Sequence, residues 1–416
     1  MFKVYLFFIA TGLVELLFGG PQPGQKIWGA LRAGSLSLTC FTLRRSSGPS
    51  RVFAVLPNSR FFNPSRYRIF FLIFFSMIPV YGEIPKQIPK GLEEQIKEDL
   101  SGIHSFTSAE LFDWFLDCSE RGWQIVYCKV RKGHFEMIQS RNQCEQRNNY
   151  VFVFMSNLVR KYSLPDVDFV VHTSDGFSSS SAYPIFAMAG NQAAKKNVCL
   201  IPDHEALADA IHIDLILEYS KPHPWESKWY KGFFRGGSTG MIAPDTEFCS
   251  NDRVRAVVFS SKYPDLLDAD FNTIYHESIM NLIAMLPNKK ITEPTLPLND
   301  WLSYKYLLDI DGNCSTFMRC RSILISNSVL LKVSSSPISN WVQWYYKCLI
   351  PYVNYVPIRN DLSDLVEIFG WLRAHDQEAH EIAMNGQTLG LEIFSKESIE
   401  SYVVHLLSAY AEKVKF

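Results

Sequence analysis

The chain lacks most of the features that would assign it quickly. Neither charge predominates: 41 Lys and Arg stand against 42 Asp and Glu, a net charge of −1. Proteins that grip nucleic acid usually carry a marked basic surplus, so no nucleic-acid partner is expected. None of the nine cysteines forms a Cys-x-x-Cys pair, which removes the common zinc ribbon, and their density is too low for a disulfide scaffold. A bridge would be sought first among Cys118, Cys128 and Cys144, and buried free thiols are expected otherwise. The ten histidines show no zinc-hydrolase spacing, and no Walker A sequence is present. Long apolar runs are missing as well. Val4–Val14 spans eleven residues and Ile69–Val80 twelve, both short of the roughly 20 needed to cross a bilayer.

What is present is a large apolar fraction, 47% against 20% charged, which makes the chain globular rather than disordered. Aromatics reach 14%, enough to fill a large core and to line a ligand site. The basic residues cluster locally: Arg32, Arg44, Arg45, Arg51, Arg60, Arg66 and Arg68 follow one another without an intervening acid. The apolar run Ile69–Val80 after them has the form of a signal or anchor segment. Residues 1–82 therefore read as an extension with a candidate signal or anchor at 69–82, and membrane association or export is an expectation tied to that region. A buried or interfacial helix is the plainer reading of the same run.

From residue 83 onward the pattern alternates between strand-like and helix-like segments. Val167–His172 reads as a buried strand, and Trp123–Val130, Pro184–Met188, Val198–Ile201, Gly232–Phe234, Tyr304–Ile310, Ser328–Val333 and Tyr352–Pro357 as further strands. Helices are expected over Gly91–Leu100, over Ser108–Cys118 with Ser108 as N-cap, over Leu362–His375 and Ser398–Lys413, and over Asp376–Asn385 stopping at Gly386. Asn149–Tyr162 fits either state. The fold class expected is α/β: two Rossmann-like domains facing a cleft, at 83–225 and 226–390, with a carboxyl-terminal helix over 391–416.

Two loops carry the chemistry. Arg235, Gly236, Gly237, Ser238 and Thr239 follow one strand candidate. Asp311, Gly312 and Asn313 follow another that begins at Lys305, with Arg319 just beyond. A loop that leaves a strand and opens a helix suits an anion, and an Arg fork stays charged and binds phosphate with two N–H groups. Two such loops point to a diphosphate. Asp175 lies just past the strand ending at His172, where open α/β sheets gather ligands and catalytic groups, although an Asp before a Gly also caps turns. Asp309 and Asp311 share one face of their strand and could be read as a metal pair.

These motifs resemble glycosyltransferase family 90: Tyr304-Lys305-Tyr306-Leu307, Asp311-Gly312-Asn313, Arg319, Ser328-Val329-Leu330-Leu331-Lys332, Pro351-Tyr352-Val353-Asn354-Tyr355-Val356-Pro357 and Asp361-Leu362-Ser363-Asp364-Leu365. The resemblance covers roughly residues 150–410 and is most specific in the carboxyl half. It implies a GT-B arrangement and transfer of a hexose of the glucose type from a UDP-sugar. The acceptor would be a hydroxyl of a protein or of a lipopolysaccharide-type glycan. By motif, Arg235 to Thr239, Lys305, Asp311, Gly312 and Arg319 would hold the donor diphosphate, and Asp175 would be the base of an inverting reaction. No metal and no other cofactor is implied. The chain departs from the family pattern at Asn354, where many members have His, at Ser174, where they have Arg, and at Gly176-Phe177, where an aromatic-Pro pair is usual.

Overall fold

The structure is a computed structural model that describes residues 37–43, 52–58, 87–192, 196–209, 211–240, 251–290, 292–337 and 340–415. The chain divides into two compact units, Met1–Val80 and Tyr81–Phe416. In the first, strands Ser37–Leu43 and Val52–Asn58 form an antiparallel hairpin. The apolar runs 4–14 and 69–80 lie outside the described residues. Among the described residues no helix is long and apolar enough to cross a membrane.

The second unit is mixed α/β and is built on two five-stranded sheets. We number their strands in chain order. The first sheet holds β1 (Ile125–Arg131), β2 (His134–Gln139), β3 (Val167–His172), β4 (Ile185–Ala187) and β5 (Val198–Leu200), in the order β2-β1-β3-β4-β5. Here β1 runs antiparallel to both neighbours, and β3, β4 and β5 are parallel. The second sheet holds β6 (Trp229–Gly237), β7 (Leu267–Thr273), β8 (Tyr304–Asp309), β9 (Val329–Val333) and β10 (Val356–Ile358), all parallel, in the order β7-β6-β8-β9-β10. Every residue of β8 and β9 is buried. That explains why these strands read as continuous apolar runs rather than alternating ones. In the second sheet the strand order reverses between β6 and β8, and the crevice at their carboxyl ends is where such sheets bind ligands.

One apolar cluster runs from the first sheet onto a face of the second, joining Phe169 and Phe186 to Leu324 and Leu330. The last long helix, Lys396–Ala411, belongs to this cluster through Tyr402, Leu406 and Tyr410. Tyr402 donates to the Leu200 carbonyl at 2.8 Å, and Val414 beyond the helix pairs in parallel with Phe106. The first half is thus completed by the end of the chain. Arg321, 2% exposed, reaches back to the buried Asp203 at 2.5 Å and the partly exposed Glu205 at 2.7 Å, an ionic triad between the halves. Asp203 also caps helix His204–Leu207.

Several expectations need adjustment. The helix expected from Ser108 is capped by Thr107, which forms a reciprocal capping box with Glu110. Asn149–Tyr162 resolves as helix Glu145–Lys161. The helix expected to stop at Gly386 continues to Ile393. Its glycines serve close packing instead: a Cβ on Gly386 would lie 2.9 Å from the Asn354 carbonyl, and one on Gly390 3.0 Å from the Leu324–Ile325 backbone. The strand expected over 352–357 shortens to β10, because Tyr352 sits in a turn at φ +59°. The cysteines Cys118, Cys128 and Cys144 are free thiols, as are Cys314, Cys320 and Cys348.

Candidate active site

The loop after β6 and the loop after β8 meet at the order reversal of the second sheet. Gly312 comes so close to the first loop that a Cβ there would lie 2.7 Å from Thr239 Oγ1 and 2.8 Å from Arg253 Nη2. Arg253 holds the two loops together. It stands in the first turn of helix Asp252–Lys262, whose start is fixed by Asn251 accepting from the Arg253 and Val254 N–H groups. Its guanidinium donates to the carbonyls of Gly237 (2.9 Å), Ile310 (3.1 Å) and Asp311 (3.0 Å) and to Thr239 Oγ1 (2.7 Å). Nothing in the sequence distinguished Arg253 from any other Arg of an amphipathic helix.

Arg319 and Arg235 are brought together, though through only one guanidinium. Arg319 lies in the first turn of helix Met318–Ile325, over the Phe234 ring at 4.6 Å, and its Nη2 donates to the Arg235 carbonyl at 2.5 Å. Its Nη1 is buried and has no hydrogen-bond partner. Burial, and then repulsion from Arg253, pulls its pKa down to about 9. This cation is short of a counter-charge. Gly236 makes room for it, since a Cβ there would lie 3.0 Å from Arg319 Nη2. Arg235, by contrast, folds back over Phe233 and donates to Asp268 at 2.9 Å, with Asp270 at 3.8 Å. Its Nη1 is committed there, while its Nε is buried without a hydrogen-bond partner. Burial raises the proton affinity of Asp268, but Arg235 and the Tyr304 hydroxyl outweigh it and hold the carboxyl below its usual range.

Lys305 is not brought to these loops. It lies toward the start of β8, fully buried, with its ammonium 2.6 Å from Asp376 and under the rings of Trp225 and Tyr230. A strand advances about 3.3 Å per residue, so the far end of β8 is out of its reach. Asp311 is buried, bonded to Ser335 Oγ and 3.6 Å from Lys332, which also pairs with Asp309 at 2.8 Å. Burial opposes the charge on Lys332, but the two carboxylates outweigh it and raise its pKa well above the usual value. One ammonium thus faces two carboxylates; burial keeps the Asp311 pKa raised, and its Oδ1 is buried without a hydrogen-bond partner.

Ser238 is fully buried, and its Oγ accepts the Tyr275 N–H at 2.9 Å. Gly236 to Gly240 also spells Gly-x-Ser-x-Gly, the pattern of a serine nucleophile, but this burial and bonding give Ser238 a structural role. The Tyr275 ring, 62% exposed, lies against Gly237 at the mouth of the loop. Only its distance along the sequence hid it.

Asp175 follows β3 and is 48% exposed. Its neighbour Gly176 packs on the second half: a Cβ there would lie 2.7 Å from the Trp341 ring and 2.8 Å from Cys314 Cβ. Trp341 and Val342 also pair antiparallel with Asn191 and Gly190. The Asp175 turn thus lies beside the loop that carries Asp311 and Gly312. The buried Cys314 thiol registers this: burial first, then Asp175 and Asp311, push its pKa far up, while Arg147 and Arg253 oppose. His172, ending β3, is pulled down to about 4 by burial and by Arg147 and is neutral at pH 7.

An unsatisfied guanidinium thus lies at the strand-order reversal of the second sheet, and a half-exposed carboxylate follows β3 of the first. The model of Glycosyl transferase family 90 matches residues 94–416. The chain belongs to that family. Protein O-glucosyltransferase 2 of Danio rerio is 26% identical over 278 residues, covering 63% of this chain and 51% of its own length. Protein O-glucosyltransferase 3 of Homo sapiens is 26% identical over 270 residues, with 62% and 49% covered. Uncharacterized protein 179R of Invertebrate iridescent virus 6 is 30% identical over 210 residues, with 46% and 18% covered. The chain spans about half the length of the O-glucosyltransferases it matches, and less of the viral protein.

Proposed function

We propose that this chain transfers a hexose of the glucose type from a UDP-sugar to a hydroxyl of a protein or glycan acceptor. Family membership supports glycosyl transfer, and the names of the O-glucosyltransferase relatives support the sugar and a protein acceptor. The observation that carries the reading is Arg319 Nη1, a buried donor without a partner at the ligand crevice of the second sheet. In this reading Arg319 neutralises the charge that grows on the leaving diphosphate. Asp175 takes the proton of the acceptor hydroxyl. The acceptor oxygen bonds to the anomeric carbon, the bond to the diphosphate oxygen breaks with its electron pair leaving on UDP, and the anomeric centre inverts. Cationic side chains and the start of helix Met318–Ile325 supply the positive field, so the reaction draws on no metal or other cofactor. The two sheets would form the facing lobes of a GT-B enzyme. The extension 1–82 would supply any membrane or secretory targeting.

The test begins with a thermal-shift screen of UDP- and GDP-sugars, since a true donor stabilises the native state by mass action. Transfer is then followed to a hydroxyl acceptor. Asp175→Asn is expected to keep donor binding and lose transfer. Wild-type turnover in that variant would remove Asp175 from the mechanism. UDP binding with no sugar released from any donor would instead mark a silent binding module of the same fold.

A further inference from the structure

Arg147 stands in the first turn of helix Glu145–Lys161 and is 20% exposed. One end of its fork, Nη1, donates to the Thr173 carbonyl at 3.2 Å. The other, Nη2, donates to Asp175 Oδ1 at 2.6 Å. One planar group therefore ties the main chain just past β3 to the carboxylate two residues on, with the helix as its base. Nothing else on the first half bonds the Asp175 side chain among the described residues.

We propose that Arg147 is the positioning residue of the catalytic carboxylate, setting the direction of Asp175 toward the acceptor hydroxyl. This rests on the reading of Asp175 as base. Geometry argues for it first. A half-exposed Asp on a turn samples several rotamers, and general-base work requires one of them. A fork with one N–H on the main chain and one on the carboxylate selects that rotamer at little entropic cost, because the guanidinium is rigid. Charge argues for it second. The Asp175 turn lies beside the loop of Asp311 and Gly312, which on the proposed reading holds a diphosphate, and a bare anion there would repel the donor. Paired with Arg147 the carboxylate is close to neutral as seen from that loop. Lysine could restore the charge but not the planar fork.

A double-mutant cycle tests this. Arg147→Ala alone is expected to lower kcat roughly 10- to 150-fold, the range for losing a charge-assisted hydrogen bond, while the calorimetric Kd of UDP stays within about threefold. In an Asp175→Asn background the same change should cost less than about twofold, because a residue that acts only through Asp175 has nothing left to position. Guanidinium ion should restore part of the activity of Arg147→Ala and none of Asp175→Asn. If Arg147→Ala proves unstable, Arg147→Lys enters the same cycle with a smaller loss expected. Full additivity in the Asp175→Asn background would overturn the proposal, as would a loss confined to donor KM. Wild-type turnover by Asp175→Asn would instead defeat the base assignment itself, so the two failures are distinguishable.

Discussion

Arg319 and Arg253 stand side by side at the crevice, and removing each should have opposite consequences for stability. Arg253 is 8% exposed, and each of its described side-chain hydrogen bonds ends on a carbonyl or on Thr239 of the two loops. Arg253→Met leaves those buried acceptors unpaired, and at about 1–3 kcal/mol for each unsatisfied group the loss should reach several kcal/mol. Arg319 has one described hydrogen bond, to the Arg235 carbonyl, and a partnerless Nη1. Its pKa falls to about 9 in the folded chain, well below the ordinary arginine value. The unfolded chain therefore holds that proton more tightly. The native state bears the penalty in full below about pH 9, and it fades as pH rises from there toward the unfolded value. Arg319→Met keeps an aliphatic stem over Phe234 and removes the penalty, at the cost of about 1 kcal/mol for the lost carbonyl bond. Its thermal midpoint should be unchanged or raised by a few degrees, whereas that of Arg253→Met should fall by roughly 5 °C or more. Transfer should still drop by about 100-fold or more in Arg319→Met, since a preorganised donor to a developing anion is worth that much. Melting curves and transfer rates on the two variants decide it. If Arg319→Met loses as much stability as Arg253→Met, with activity falling only in proportion to the folded fraction, Arg319 is structural and the site assignment collapses.

Two further outcomes follow from the packing. Gly312→Ala would drive a Cβ to 2.7 Å from Thr239 Oγ1 and 2.8 Å from Arg253 Nη2. Donor affinity should fall more than the melting temperature does, and an unchanged donor Kd would show that the two loops do not act together. Arg321→Met strands Asp203 and Glu205, and breaking a buried ion pair from one side costs about 3–5 kcal/mol. A midpoint within a degree of wild type would show that the triad carries no weight in holding the halves together.

The central strands of both sheets could be read from the sequence because strands buried on both faces are continuous apolar runs. Val329–Val333 and Tyr304–Asp309 lie inside the expected spans, and Val167–His172 coincides with its own. Less regular strands escaped. His134–Gln139 is largely exposed, and Leu267–Thr273 is interrupted by Asp268, Asp270 and Asn272. At the site, the glycines and Arg319 were legible because short local motifs carry them, although the groups they touch, Phe234 and Arg235 for Arg319 and Thr239 and Arg253 for Gly312, lie far along the chain. Arg147 and Arg253 were not, since what distinguishes them is the carbonyls they reach, on segments far along the chain. Lys305 misled for the converse reason. Being close to Asp311 along a strand says nothing about which end of that strand a side chain serves.

The closure of the first sheet by the end of the chain has a consequence for biogenesis. Tyr402, Leu406, Tyr410 and Val414 complete a core whose other members include Phe106, Phe169 and Phe186. During synthesis the amino-terminal half emerges long before those residues do, and loop closure over such separations is slow. Until Lys396–Lys415 leave the ribosome, the nascent sheet keeps an oily flank uncovered, the kind of transient apolar surface that favours aggregation.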